Sequence, residues 1–295
     1  MISYLWQVAL HSGTMGLILY VWVHRVGLPA GRTRQRLLAL LLVLPLVTAA
    51  IPWRASVEFG ERVAWLNSAR LLAIPLAVGF EGVHLGHVLA AGGAFIVLLT
   101  IWQEILPALG RRAPSDGPAP EALVASARTR PGWELCEVLV TGEPAMAVAT
   151  SGRPGHPRLI VSRGALEILA REELEAVLTH EHAHWQAGRW WQTHAMFAVR
   201  LLQSHNPVAM WAFREYCIEM EIGCDAAAVA GRDPRLLARV LLRVYQDTDP
   251  RDLAARAALR KRVDVLLAGG PDVTLPSFTL PVISAVMLVV LPWLV

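Results

Sequence analysis

Residues 174–188 read LEAVLTHEHAHWQAG, and within them His180-Glu181-His182-Ala183-His184 matches the pattern HExxH. With 10 His in 295 residues, the composition yields roughly 0.02 accidental matches of this form, so the pattern is a strong signal. On a helix, Leu174, Val177, Leu178, Trp185 and Gly188 fall on one stripe, the side that faces a core. Glu181 lies in the middle of that stripe, and His180 and His184 sit on its edge, one turn apart. An ionised carboxylate there is costly unless it is paired or close to a metal. His182 points away from the other two histidines and reads as a partly exposed polar residue, not a ligand.

Two imidazoles at i and i+4 suit zinc, but a catalytic site needs a third protein ligand and an open position. Residues 214–230, REYCIEMEIGCDAAAVA, offer acids on a second helix. Glu221 and Asp225 are four apart and share a face. Glu221 can be the third ligand, and Asp225 can then accept a hydrogen bond from a ligand imidazole and fix its tautomer. Alanines 226, 227, 228 and 230 allow a close approach to a neighbouring helix. Glu215 and Glu219 are the rival acids. Neither has an Asp four residues later, and both read as surface charges.

Working outward, residues 107–131 are rich in Pro, Gly, Ser and Ala and read as a linker. Short strand-like runs follow at 135–141, 145–150 and 158–162, punctuated by Gly and Pro. From Gly164 to about Leu267 the pattern is helical. The segment 132–272 therefore reads as an α+β domain, with a small antiparallel sheet followed by helices. Cys136, Cys217 and Cys224 all fall within it, an odd number without a CxxC pair, and read as free thiols.

The rest of the chain is apolar. Overall, 55% of residues are hydrophobic, 17% are charged and the mean hydropathy is +0.44, which argues against an ordinary soluble protein. Four stretches predict membrane spans: 4–23, 37–53, 85–106 and 278–295. The organisation expected is a three-span region over 1–106, the linker, the domain at 132–272 and a fourth span in 273–295. The loop after the first span carries Arg25, Arg32, Arg34 and Arg36 and no acid, which places it and the polar domain on the cytoplasmic side. The net charge of +3 comes from the flanks; residues 107–272 hold 20 basic and 20 acidic residues. The polar domain thus has no excess charge to neutralise phosphates, and nucleic acid is rejected as the main partner.

Together, HEHAH, Asn206-Pro207 with Trp211 and Arg214 following, and Glu221-x-x-Cys224-Asp225 resemble the BlaR/MecR-type antirepressor membrane metallopeptidases, which are gluzincins. The related HtpX group shares HExxH and ExxxD; the Asn-Pro run and the Cys before Asp favour the first assignment. The resemblance implies a multi-pass α-helical protein of a bacterial inner membrane with a cytoplasmic zincin domain. His180, His184 and Glu221 would hold Zn²⁺, and Glu181 would be the general base. Sensor members of that family carry a penicillin-binding domain after the fourth span. This chain stops at Val295, so the antibiotic-receptor role is not expected.

The function expected is hydrolysis of a peptide bond in a cytoplasmic or membrane-proximal protein, including self-cleavage. His205, His194 and Arg214 stand as alternative donors to the developing oxyanion. Two other readings stay open: a protease-fold signalling module gated by a separate membrane sensor, and a scaffold that keeps zinc only for structure. The presence of Glu181, which is not a ligand, weighs against the scaffold.

Overall fold

The computed structural model describes residues 2–26, 30–49, 84–102, 117–153, 155–186, 188–204 and 206–269. In chain order the helices are α1 (Ile2–Val21), extended by a π-helical turn at Trp22–Val26, α2 (Arg32–Thr48), α3 (Leu85–Thr100) and α4 (Glu121–Arg128). They continue with α5 (Arg163–Ile168), α6 (Arg171–Gln186), α7 (Arg189–Leu202), α8 (Pro207–Ala228), α9 (Pro234–Asp247) and α10 (Leu253–Leu267). The strands are β1 (Gly117–Pro118), β2 (Glu137–Thr141), β3 (Val148–Arg153) and β4 (His156–Ser162), in the sheet order β1-β2-β4-β3. The described chain is mostly helical.

Local sequence sets the helix starts. The Ser162 hydroxyl accepts the Ala165 N–H, Asn206 accepts Val208 N–H, Asp233 accepts Arg235 N–H and Asp252 accepts Ala255 N–H. Pro207 and Pro234 occupy the first turn, where no intrahelical N–H is needed. At α6 the Glu173 carboxylate reaches back to the Ala170 N–H, as in a capping box.

The sheet departs from the antiparallel expectation. β3 pairs antiparallel with β4, but β2 pairs with β4 in parallel, Leu139 opposite Ile160. β3 and β4 pair as a hairpin, with Arg153 opposite His156. β4 alternates buried residues over most of its length and takes the centre, so β2 joins its far side. β3 is left as an edge strand. Residues 117–128, within the stretch expected to be a linker, contribute β1 and α4, and Leu123 and Ala127 of α4 enter the core under the sheet.

Helix α8 connects the molecule. Its first half, with Ala209, Ala212 and Tyr216, packs on Met15 and Leu19 of α1 and Leu37, Leu38, Leu41 and Leu42 of α2. Its last turns pack near α9 and α10 through Ala228, Leu237, Leu241, Val263 and Leu266. A third cluster joins the sheet to α4, α5 and α6 around Trp133, Leu159, Val161 and Leu178.

Among the described residues, no helix is long and apolar enough to cross a membrane. Of the expected spans, 4–23 lies wholly within the described residues, and 37–53 and 85–106 do so in part. α1 has 20 residues but carries His11-Ser12-Gly13-Thr14 at its centre, α2 has 17 and opens with Arg32, Arg34 and Arg36, and α3 has 16. The fourth expected span, 278–295, lies outside the described residues.

Candidate metal centre

The HExxH helix, α6, lies between the β3 edge and α8. Its histidines face Glu221 on α8. His180 Nε2 and His184 Nε2 are 3.1 Å apart. Glu221 Oε2 is 3.3 Å from the first and Oε1 is 3.2 Å from the second. Ligands at zinc-like bond lengths of about 2.0–2.1 Å in a tetrahedral site stand roughly 3.3 Å apart. The two histidine nitrogens stand at about that separation, each with its own Glu221 oxygen at a similar distance, and two imidazoles with one carboxylate are a zinc donor set, so the residues fit the ion.

Cys224 Sγ also lies within 4.8 Å of ligand atoms on both histidines, which makes it a rival third ligand. It is fully buried, whereas Glu221 lines the same cavity as His180, Glu181 and His184. A catalytic ion needs a position open to substrate, and the cavity lined by His180 and His184 offers one beside either third ligand.

Behind the triangle of His180, His184 and Glu221, Asp225 Oδ1 sits 2.9 Å from His180 Nδ1, at ion-pair distance but outside hydrogen-bond geometry. Arg262 of α10 completes the arrangement. It donates from Nε and Nη2 to the two oxygens of Asp225, at 2.8 and 2.7 Å, and its Nη1 lies 3.0 Å from Glu221 Oε2. Nothing in the sequence pattern singled out Arg262, which belongs to a basic helix with no motif. Its one local signal is position, a charge flanked by the core residues Val263 and Leu266.

These contacts fix the electrostatics. Burial pulls the His180 imidazole down, but Asp225 and Glu221 outweigh it and hold the ring up at about 9. Burial pushes Glu221 and Asp225 upward and is overcome in both. For Glu221 the opposing groups are His180, His184 and Arg262, which hold it well below the usual carboxylate range. For Asp225 they are Arg262 and His180. Burial, aided by Glu221, pushes the Cys217 thiol up to about 12, which makes it inert.

Glu181 is half-buried and accepts a hydrogen bond of 2.9 Å from the Thr150 hydroxyl on β3. Around them opens a cavity of about 510 Å³, lined by residues 148–152 of β3, the three metal-facing residues, Trp185, Thr193 and His194. A second cavity of about 280 Å³ shares His180, Glu181 and Glu221 and is otherwise largely aliphatic, with Leu169, Val177, Leu237, Val240 and Leu259.

The remaining expected residues divide. His194 stands at the main cavity. Arg214 is exposed, and its guanidinium is turned to the Ala254 carbonyl at 3.0 Å, away from both cavities that touch the centre. His205 lies outside the described residues. His182 is not at the centre, but it is buried and not partly exposed: its Nε2 donates to the Pro131 carbonyl at 2.8 Å and its ring meets Trp133 edge-on. Glu219, expected on the surface, has no exposed area at all. Its spacing hid this, because the groups that neutralise it come from α2 and α10.

Residues 153–263 match the family model described as BlaR1 peptidase M56. A Protease HtpX homolog from Thermococcus kodakarensis is 31% identical over 134 residues, 41% of this chain and 46% of that protein. One from Leptothrix cholodnii is 38% identical over 125 residues, 40% of this chain and 39% of that protein. The chain thus spans less than half the length of these curated relatives. The crystal structure of S. mikatae Ste24p is 15% identical with a TM-score of 0.38, covering 85% of this chain and 71% of that one, too loose a match to establish a common fold. The sequence matches support a metallopeptidase of the M48/M56 type. The M56 match takes in every residue of the triangle together with Glu181, Asp225 and Arg262.

Proposed function

We propose that the chain is a membrane-held zinc endopeptidase of the BlaR/MecR kind, with His180, His184 and Glu221 as ligands and Glu181 as general base. The observation that carries this reading is the triangle of 3.1, 3.2 and 3.3 Å edges beside a carboxylate that is not one of its corners. Zinc held there supplies a water of lowered pKa and a positive charge facing the peptide carbonyl. Glu181 Oε1 or Oε2 takes the proton of the attacking water and later delivers it to the leaving amine. Thr150 orients Glu181, and His194, which lines the same cavity, is the donor we assign to the developing oxyanion.

A protein segment in extended form would add to β3, whose outer edge has no strand partner among the described residues. The aliphatic cavity beside the centre would then take an apolar side chain next to the scissile bond.

Membrane attachment is supported by exposed apolar residues on α1 and α3. Leu17 is 64% exposed, Phe95 64% and Leu98 65%, more apolar exposure than helices facing water normally carry. The basic stretch 25–36 and the peptidase domain would face the cytoplasm of a bacterial cell, with residues 273–295 as a further attachment.

The test compares the full chain with Glu181→Gln, both purified in detergent with zinc, by mass spectrometry of fragments over time. Fragments from the wild type alone, with equal zinc content in the two proteins, are the expected result. Equal fragmentation in both would remove Glu181 from the chemistry, and intact chains in both with zinc bound would favour a protease fold that awaits a separate membrane sensor.

A further inference from the structure

Glu219 is a fully buried carboxylate with no part in the chemistry above. Three donors from two other helices surround it. The Gly31 N–H donates to Oε2 at 2.6 Å, while Arg34 Nη1 and Lys261 Nζ donate to Oε1 at 3.2 and 2.9 Å. Gly31, the residue before α2, has a φ of 112° that suits glycine, and its own N–H points at the carboxylate. Lys261 also donates to Glu215 at 2.8 Å. Beside these pairs lies a cavity of about 320 Å³, lined by Leu19, Tyr20, Leu38 and Trp211.

The arrangement forms a ladder between α8 and α10. Lys261 binds Glu215 and Glu219, and its neighbour Arg262 binds Glu221 and Asp225. Two adjacent residues of one helix thus hold four acids of the other, two in the metal centre and two outside it. A shift of the α10 backbone at Lys261 carries Arg262 with it.

We propose that Glu219 is a positioning residue that couples the α1–α2 hairpin to the metal centre: it holds α2 and Lys261 together, and Lys261 sets the aim of Arg262 on Glu221 and Asp225. A displacement of the hairpin therefore loosens the third ligand. The inference rests on His180, His184 and Glu221 being the metal ligands.

The experiment uses the full chain in detergent, with zinc affinity measured against a competing chelator and amide exchange followed with and without zinc. In the wild type, zinc should slow exchange at the amides of residues 31–36, because coupling between two sites is reciprocal. Glu219→Gln should weaken zinc by about tenfold and abolish that protection. Glu173→Gln controls for stability alone: it breaks another buried carboxylate–arginine cluster, so it should lower the melting temperature with zinc affinity unchanged. Lys261→Met should repeat the Glu219 effect and Lys261→Arg should largely restore it, which keeps the test usable if Glu219→Gln fails to fold. Wild-type zinc affinity in Glu219→Gln, or hairpin amides indifferent to zinc in the wild type, would overturn the coupling alone. A wild type that binds no zinc would overturn the metal centre first.

Discussion

At the scale of single residues, His180 carries the clearest pH signature. Its imidazole is held at about 9 against an ordinary 6.5, because Asp225 and Glu221 together exceed the penalty of burial. A raised folded value means that the protonated ring stabilises the metal-free protein fully below about pH 6.5, and that this stability disappears as pH rises through about 9. Melting curves of the chelated protein should therefore fall across that window, and those of the zinc-loaded protein should not. Zinc binding between pH 7 and 8 should also release about one proton, read by calorimetry in buffers of different ionisation heat. A flat melting profile for the chelated protein would count against the ion pairs. Arg262 yields a second test. Arg262→Leu leaves the buried Asp225 carboxylate facing half-buried Glu221 without their shared cation and should cost about 3 kcal/mol in denaturant unfolding. Arg262→Lys should recover only part of this, because a point charge cannot span Asp225 and Glu221 as a planar fork does. The histidines and Glu221 were legible in the sequence because their spacing on a helix is itself the geometry. Arg262 and Glu219 were not, because the partner of a buried charge is chosen by which helices pack together.

At the scale of elements, β3 has to meet α6 at the right height. The sequence pattern placed a strand at 145–150, and the strand found is Val148–Arg153, because residues 144–147 are taken up by a turn against α5. Gly164 sits under that turn. A Cβ there would lie 2.0 Å from the Pro144 carbonyl oxygen, and the Gly164 N–H donates to Glu143. Ser162 pins the same turn, accepting from Ala147 N–H as well as Ala165 N–H. Gly164→Ala should therefore cost about 2 kcal/mol of stability through overpacking. It should also lower kcat/KM more than an equally destabilising change in α9, since it displaces the strand that carries Thr150. Thr150→Val, which keeps shape and loses the donor to Glu181, should lower kcat/KM about tenfold with zinc affinity unchanged. Thr150→Ser should restore most of it; loss of zinc in the valine variant would mean that β3 supports the ligands and not the base.

For the whole molecule, hydropathy and tertiary packing gave different divisions of the chain. Residues 4–23 and 37–53 read as spans separate from the domain, because a helix apolar on many sides suits lipid and a protein core equally well. In the structure both helices give one side to α8, and buried polar groups that lipid could not satisfy fasten α1 and α2 to each other and to the junction of α7 with α8. Asn206 Nδ2 donates to Ser12 Oγ at 2.8 Å, Gln203 Nε2 donates to the Leu42 carbonyl at 2.7 Å, and His11 Nδ1 lies 2.7 Å from Thr48 Oγ1. The Asn-Pro pair noted in the sequence thus does two things at once, capping α8 and tying its start to α1. That separates two costs. Asn206→Ala should lose about 1 kcal/mol for the cap wherever the hairpin lies. The bond to Ser12 contributes only if the hairpin is docked, and a double-mutant cycle of Ser12→Ala with Asn206→Ala isolates it. Docked helices should give a coupling of about 1 kcal/mol. A coupling of zero in detergent that becomes measurable in lipid bilayers would mean that the membrane sets the docking, and with it the reach of the hairpin to the metal centre.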